Sequence, residues 1–254
     1  MYQNKYEIIS KKEIADGIFD FTVSCKEIAE AATAGQFVHI SVPGCFLRRP
    51  ISICEIDKKI GTLRLVVQVR GNGTKIMSGL NVGEKMDLLG PLGTGFTKCE
   101  KADSVILIGG GIGTPPMLEL SRYYGERASV ITGFRTGSLS ILSDDFIKTG
   151  ARLIECTDDG SRGINGFVTD ALKDEIKAIK PQMVYACGPM IMLKGVAEIC
   201  KLNNIDCEIS LEERMACGVG ACLGCAVKLN HDGNEFYGHV CKDGPVFSAK
   251  EVVF

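Results

Sequence analysis

Two rhythms of apolar and polar positions divide the chain. Between residue 5 and about residue 97, apolar residues fall in short runs, among them FDFTVSC, QFVHISV, RPISICEI and LRLVVQVR, bounded by turns rich in Gly, Pro and Asp. Side chains on a strand alternate between its two faces, so these runs predict half-buried strands and, at this spacing, an antiparallel β-barrel. From about residue 103, apolar runs alternate with segments of helical period: SVILIGG, PPMLELSRYY, ASVITGF, ARLIECT, TDALKDEIK, QMVYACG, MIMLKGVAEICKLNN and CEISLE. Strand, helix, strand in succession predicts a doubly wound parallel sheet.

The polar, glycine-bearing stretch PLGTGFTKCEKADS separates the two rhythms, and a small third lobe begins after the last strand, near residue 211. The expected organisation is a barrel over 1–98, an α/β domain over 99–210 and a C-terminal lobe over 211–254, with no internal repeat.

Composition narrows the function classes. The chain has 254 residues, 45% of them hydrophobic and 24% charged, which suits two domains with separate cores and excludes disorder. A net charge of -2 gives no broad basic surface for nucleic acid or an acidic membrane, and neither partner is expected. The opening MYQNKYEIIS has no basic head followed by an apolar run, and no apolar stretch reaches the roughly 18 residues of a membrane span, so a cytoplasmic location is expected. In that setting the twelve cysteines should be reduced core residues or metal ligands rather than disulfides.

Eight of them, Cys25, Cys45, Cys54, Cys99, Cys156, Cys187, Cys200 and Cys207, show no ligand spacing, and most are expected to be small buried hydrophobes. The other four are different. Cys217, Cys222 and Cys225 in ERMACGVGACLGCAVK are separated by four and then two residues, and Cys241 follows after fifteen more. Between Cys225 and Cys241, AVKL and EFYGHV flank HDGN, a hairpin signal that would return Cys241 beside Cys225. CxxxxCxxC with a remote fourth cysteine is the plant-type pattern of a [2Fe-2S] cluster. Gly218, Gly220 and Gly224 would let the loop wrap such a cluster and turn its N–H groups toward sulfur. Structural zinc is the alternative, but four-cysteine zinc sites usually pair two short CxxC knuckles. His231 and His239 read as turn or surface residues rather than ligands.

In the barrel, LRRPISICEI sets Arg49 three positions before Ser52, with Pro50 holding the backbone extended. A guanidinium and a hydroxyl so placed suit a diphosphate. In VVQVRGNGTKIM, Gly73 and Thr74 fall at the start of a short helix, whose free N–H groups suit a second phosphate contact. In the second domain, VILIGGGIGTPPMLEL is a strand, a glycine-rich turn and a helix beginning near Pro115. Small residues there allow phosphate to approach the backbone, although Pro116 stands where GxGxxG requires its third glycine. ASVITGFRTG carries Arg135 just past the second strand and no acid, which on residues alone permits NADP as well as NAD.

The R-P-I-S strand, the G-T helix start, the GGGxGxxP turn and the C-G-P-M segment of YACGPMIM together resemble the ferredoxin-reductase-type flavoproteins. That resemblance implies FAD on the barrel, lined by Arg49, Pro50, Ile51 and Ser52, touched by Val66, Val67 and Gln68, with its pyrophosphate at Gly73 and Thr74. It implies a nicotinamide dinucleotide over Gly110, Gly111, Gly113, Thr114 and Pro115, with Cys187 and Gly188 close to the nicotinamide. Cys187 is then the candidate catalytic residue, a buried thiol being the alternative. SLEERMACGVGACLGCAVK with HVCKDGPVFSAKEVVF resembles, more narrowly, the electron-transfer subunits of NAD-dependent bacterial dihydroorotate dehydrogenases. This implies Cys217, Cys222, Cys225 and Cys241 as ligands of a [2Fe-2S] cluster, and FAD and NAD as cofactors. It also implies an FMN-containing partner that oxidises dihydroorotate to orotate in pyrimidine biosynthesis, in a heterotetramer of two plus two. The small subunit of an NADH-dependent ferredoxin:NADP oxidoreductase or sulfide dehydrogenase is the runner-up.

Overall fold

A computed structural model describes all 254 residues. Six strands, β1 (Tyr2–Ala15), β2 (Ile18–Ser24), β3 (Phe37–Ser41), β4 (Arg49–Asp57), β5 (Thr62–Gln68) and β6 (Lys85–Leu92), close into a barrel in the order β1-β2-β5-β4-β3-β6. Every neighbouring pair is antiparallel. Alternation sorts the faces: Leu63, Leu65 and Val67 of β5 point into the barrel with Phe21, Val38, Ile40 and Ile53, whereas Val66 points out toward the second domain. Helix α1 (Lys26–Ala31) adds Ile28 to this interior, and α2 (Asn72–Ser78) adds Met77. Each large apolar side chain so buried contributes about 1.5–3 kcal/mol.

The second domain is a seven-stranded sheet in the order β10-β9-β8-β7-β11-β12-β15. Its strands are β7 (Val105–Gly110), β8 (Ala128–Phe134), β9 (Arg152–Thr157), β10 (Ile164–Asn165), β11 (Met183–Cys187), β12 (Asp206–Ser210) and β15 (Val246–Ser248). All pairings are parallel except that of β15 with β12. Helices α3 (Met117–Tyr124), α4 (Ser143–Lys148), α5 (Val168–Ile179) and α6 (Met190–Leu202) join the strands. Strand order reverses between β7 and β11, so the turns leaving these two strands flank a crevice at the carboxyl edge of the sheet. Arg64 of the barrel grips Asp145 of α4 with two hydrogen bonds of 3.0 and 3.1 Å, and also pairs with Asp20 and Glu55.

The C-terminal lobe carries a two-stranded hairpin, β13 (Ala226–His231) with β14 (Asn234–His239). Asp232 and Gly233 both take positive φ, 50° and 86°, the geometry of a two-residue hairpin turn that matches strand twist. The lobe has no core of its own. Cys225, Leu229, Val240, Cys241 and Phe247 join Phe37 and Leu92 of the barrel and Ile209 and Leu211 of the sheet in one apolar cluster. The chain then returns as β15, a three-residue strand too short to stand out in the hydrophobic pattern, and stitches the lobe to the sheet edge. Gly93 makes the same junction tight: a Cβ there would lie 2.4 Å from the Gly244 carbonyl oxygen. No helix is long and apolar enough to cross a membrane.

Candidate functional site

The barrel, the parallel sheet and the C-terminal segment meet at an open cleft of about 230 Å³. Pro50, Ile51 and Ser52 of β4, Val66 and Gln68 of β5, and Thr74 of α2 form one wall. Ile112 and Pro115, from the turn after β7, face them. Val67, expected beside Val66, turns its side chain into the barrel interior, because neighbouring strand residues face opposite ways.

Arg49 lies across the start of α2. A Cβ on Gly73 would meet its Nε at 2.5 Å, so this glycine is what lets the guanidinium settle there. Arg49 is held from behind by the carbonyls of Leu47 and Arg48. The Thr74 hydroxyl is engaged within its own turn, accepting from the N–H groups of Arg70 and Gly71 at 2.9 and 3.1 Å and donating to the Gly71 carbonyl. The first-turn N–H groups, not this hydroxyl, are therefore what α2 offers to an anion. A cationic fork over a glycine, flanked by small polar and apolar surfaces, fits a flavin dinucleotide.

The nucleotide turn has the same economy of space. Gly111–Gly113 form a short 3-10 turn, and a Cβ on Gly113 would lie 2.5 Å from the Cys187 carbonyl oxygen, so the glycine turn after β7 and the Cys187–Gly188 turn after β11 touch. Gly110 is equally constrained, since a Cβ there would lie 2.5 Å from Met192 Sδ, and Gly188 takes a φ of 157°. Thr114 is fully buried and its hydroxyl has no partner, an orphaned donor at the point where a phosphate would approach. These features fit a bound dinucleotide. Cys187 itself is 1% exposed, and its pKa is pushed up to about 12 by burial and by the Glu212 carboxylate, so it is a protonated thiol beneath the cleft floor. Arg135 is exposed at the end of β8.

Glu212, Glu213 and Met215 also line the cleft, and the spacing of motifs did not single them out. Desolvation raises the Glu212 pKa, with Arg70 opposing it, even though the side chain keeps contact with the water of the cleft. The signal was available: Glu212 stands two residues beyond β12, and ligands of open α/β sheets bind at the carboxyl ends of strands.

The four spaced cysteines gather at one end of the C-terminal lobe. Cys217 Sγ accepts from the N–H groups of Val219 at 3.4 Å and Ala221 at 3.3 Å, Cys241 Sγ accepts from Gly220 at 3.1 Å, and Cys225 Sγ accepts from Cys241 at 3.4 Å. Desolvation works against the Cys217 thiolate, but the two N–H donors and Cys222 lower its pKa to about 6. Desolvation and the neighbouring Cys225 push Cys241 up to about 12. The thiols thus lie as two linked pairs, Cys217 with Cys222 and Cys225 with Cys241, not as a closed set of three or more metal-ligating side chains. N–H groups aimed at sulfur and a thiol held near its ionised form are the chemistry an iron-sulfur cluster needs. Gly218 and Gly220 take positive φ, 73° and 80°, as expected; Gly224 does not, and the left-handed residue of that turn is Leu223, with φ 60° and its carbonyl accepting from Ala226. Of the eight scattered cysteines, all but Cys45 and Cys99 are buried. His231 sits in the hairpin turn against Glu251, and His239 pairs with Asp243.

Between the cleft and the cysteine loop stands His39 of β3. It is fully buried, neither ring nitrogen has a hydrogen-bond partner, and burial together with Arg48 lowers its pKa to about 4, leaving a neutral ring.

Known proteins resemble this chain along its whole length. Residues 5–96 match the family described as oxidoreductase FAD-binding domain, and residues 212–253 match the iron-sulfur cluster binding domain of dihydroorotate dehydrogenase B. The electron transfer subunit of dihydroorotate dehydrogenase B (NAD(+)) from Geobacillus kaustophilus is 39% identical, over 99% of this chain and 98% of its own. That from Bacillus caldolyticus is 38% identical over the same shares. Among solved structures, one of the NADH-dependent reduced ferredoxin-NADP oxidoreductase superposes with a TM-score of 0.86 at 30% identity, covering 98% of this chain and 89% of that one. A ferredoxin NADP+ reductase from Neisseria gonorrhoeae shares the fold, with a TM-score of 0.68 at 17% identity over 84% of this chain and 94% of its own. With a flavin-type barrel, a nucleotide sheet and a four-cysteine lobe on one chain, and full-length relatives at this identity, the protein belongs to the family of dihydroorotate dehydrogenase B electron transfer subunits.

Proposed function

We propose that this chain relays electrons between an FMN-containing subunit that oxidises dihydroorotate and the NAD pool. The observation that carries the reading is the convergence of three sites: the barrel wall, the nucleotide turn and the segment leading to Cys217 share one cleft. When bound, FAD exchanges a hydride with nicotinamide and single electrons with an iron-sulfur cluster.

The chain's residues divide the work. Arg49, Gly73 and Thr74 hold the flavin pyrophosphate, Pro50, Ile51, Ser52 and Gln68 line its ring system, and Val66 and the Val67 backbone support it from β5. Gly110, Gly111, Gly113, Thr114 and Pro115 receive the dinucleotide phosphates, and Gly188 leaves room for the nicotinamide over the buried Cys187. Cys217, Cys222, Cys225 and Cys241 hold a [2Fe-2S] cluster, with exposed Cys222 toward the partner. The working unit is a cytoplasmic heterotetramer of two plus two.

The test is reconstitution with the FMN subunit. Adding dihydroorotate should reduce NAD at a rate that needs both subunits; a complex that forms with all cofactors bound and yet reduces no NAD contradicts the reading. Arg135, exposed and without an ion pair, makes NADP the informative second acceptor in the same assay.

A further inference from the structure

His39 pairs across the barrel wall with Pro50 of β4 and with Leu89 of β6. Its neighbours Val38 and Ile40 point into the barrel, so by alternation the His39 ring points out, on the side of Phe37, which packs against the cysteine lobe. There it meets Gly218, the residue after Cys217: a Cβ on Gly218 would lie 2.4 Å from His39 Nδ1. The loop therefore closes on the ring only because position 218 has no side chain. The carbonyls of Arg48 and Cys217 approach the imidazole, yet neither makes a hydrogen bond of acceptable geometry, and both ring nitrogens stay unpartnered. A buried, unpaired imidazole is destabilising unless something pairs with it. Its backbone pairs with a residue of the flavin wall and its ring abuts the cysteine loop.

We propose that His39 supplies the hydrogen bond from the barrel to the sulfurs of the cluster held by the Cys217 loop, and so sets the cluster's reduction potential relative to the flavin's. The proposal rests on the relay reading above. An imidazole ring carries an N–H to give, and hydrogen bonds to sulfur stabilise the more negative, reduced state of a cluster. The bond also fixes the loop against the strand from which Pro50 faces the flavin, so that the two centres keep a constant spacing.

The experiment is an EPR-monitored redox titration of the cluster, with the flavin potential followed in the same samples by absorbance. Three proteins are compared: wild type, His39→Leu, which fills the site without a donor, and His39→Gln, which keeps an N–H. His39→Leu should shift the one-electron equilibrium between cluster and flavin about tenfold away from the reduced cluster, about 59 mV, with the flavin potential unmoved. His39→Gln should recover most of that shift. Loss of the cluster in His39→Leu but not in His39→Gln would also support the proposal. An unmoved potential in cluster-loaded His39→Leu, or equal effects of the two variants, overturns it. Should neither variant hold FAD, Gly218→Ala tests it from the loop side: it leaves His39 in place but sets a methyl against Nδ1, and the same negative shift is expected, no shift being the overturning result. A wild-type protein without any [2Fe-2S] signal would overturn the relay reading itself and this proposal with it.

Discussion

The flavin barrel and the cysteine lobe are built by opposite means. The barrel's interior is supplied by its own strands and helices, with Phe21, Leu63, Leu65 and Leu88 fully buried, so its order follows from burial alone. The lobe buries almost nothing by itself. Its hairpin borrows Phe37 and Leu92 from the barrel and Ile209 from the sheet, is stitched down by β15, and exposes Val219 and Leu223 beside its cysteines. The difference teaches where each centre gets its rigidity: the flavin wall is preorganised, while the cluster loop is held by its neighbours and by whatever its sulfurs bind.

The largest effect should come from breaking the self-sufficient side. Phe21→Ala opens a cavity in the barrel and should cost about 3–5 kcal/mol in a denaturant titration, with loss of bound FAD and all NADH-driven activity. Breaking the dependent side should divide the functions. Cys222→Ser, at an exposed position, should abolish cluster absorption and partner-dependent NAD reduction while NADH still reduces the flavin and an artificial acceptor. If diaphorase activity vanished with FAD still bound, the separation of roles would be wrong.

Removing the metal with a chelator under reducing conditions should erase amide hydrogen-exchange protection in β13 and β14 and leave that of β2 and β5 intact; equal loss in both would mean the lobe is not metal-dependent. The smallest effect is expected at the contact between barrel and sheet. Asp145→Ala removes the bidentate pair while Arg64 keeps Asp20 and Glu55, and both groups of the pair keep solvent contact, so the cost should be about 1 kcal/mol or less and be visible chiefly as a weaker salt dependence of thermal unfolding.

Much of this could be read from the residues, and the misses have physical causes. The HDGN turn and the cysteine spacing predicted the return of Cys241 to Cys225, because two consecutive positive φ angles demand that kind of sequence. The strands of the sheet were legible because buried parallel strands are continuous apolar runs. At Val67 only the backbone can face the flavin wall, because resemblance names a segment, whereas alternation decides which side chains face out of the barrel. Gly224 was expected to take the left-handed turn that Leu223 takes, since loop composition does not fix which residue of a tight turn bends. His39 and Glu212 stand outside the spaced motifs, and the surroundings that mark them come from chain segments far apart in sequence.

The central claim, that flavin and cluster on this one chain are in electronic contact, has a direct test. NADH is added anaerobically to the purified protein and the sample is frozen for EPR once the flavin has bleached. A reduced [2Fe-2S] signal that grows with flavin bleaching and is absent in Cys222→Ser is the predicted result. Full bleaching of the flavin with the cluster still oxidised, in a protein whose cluster dithionite can reduce, would contradict it.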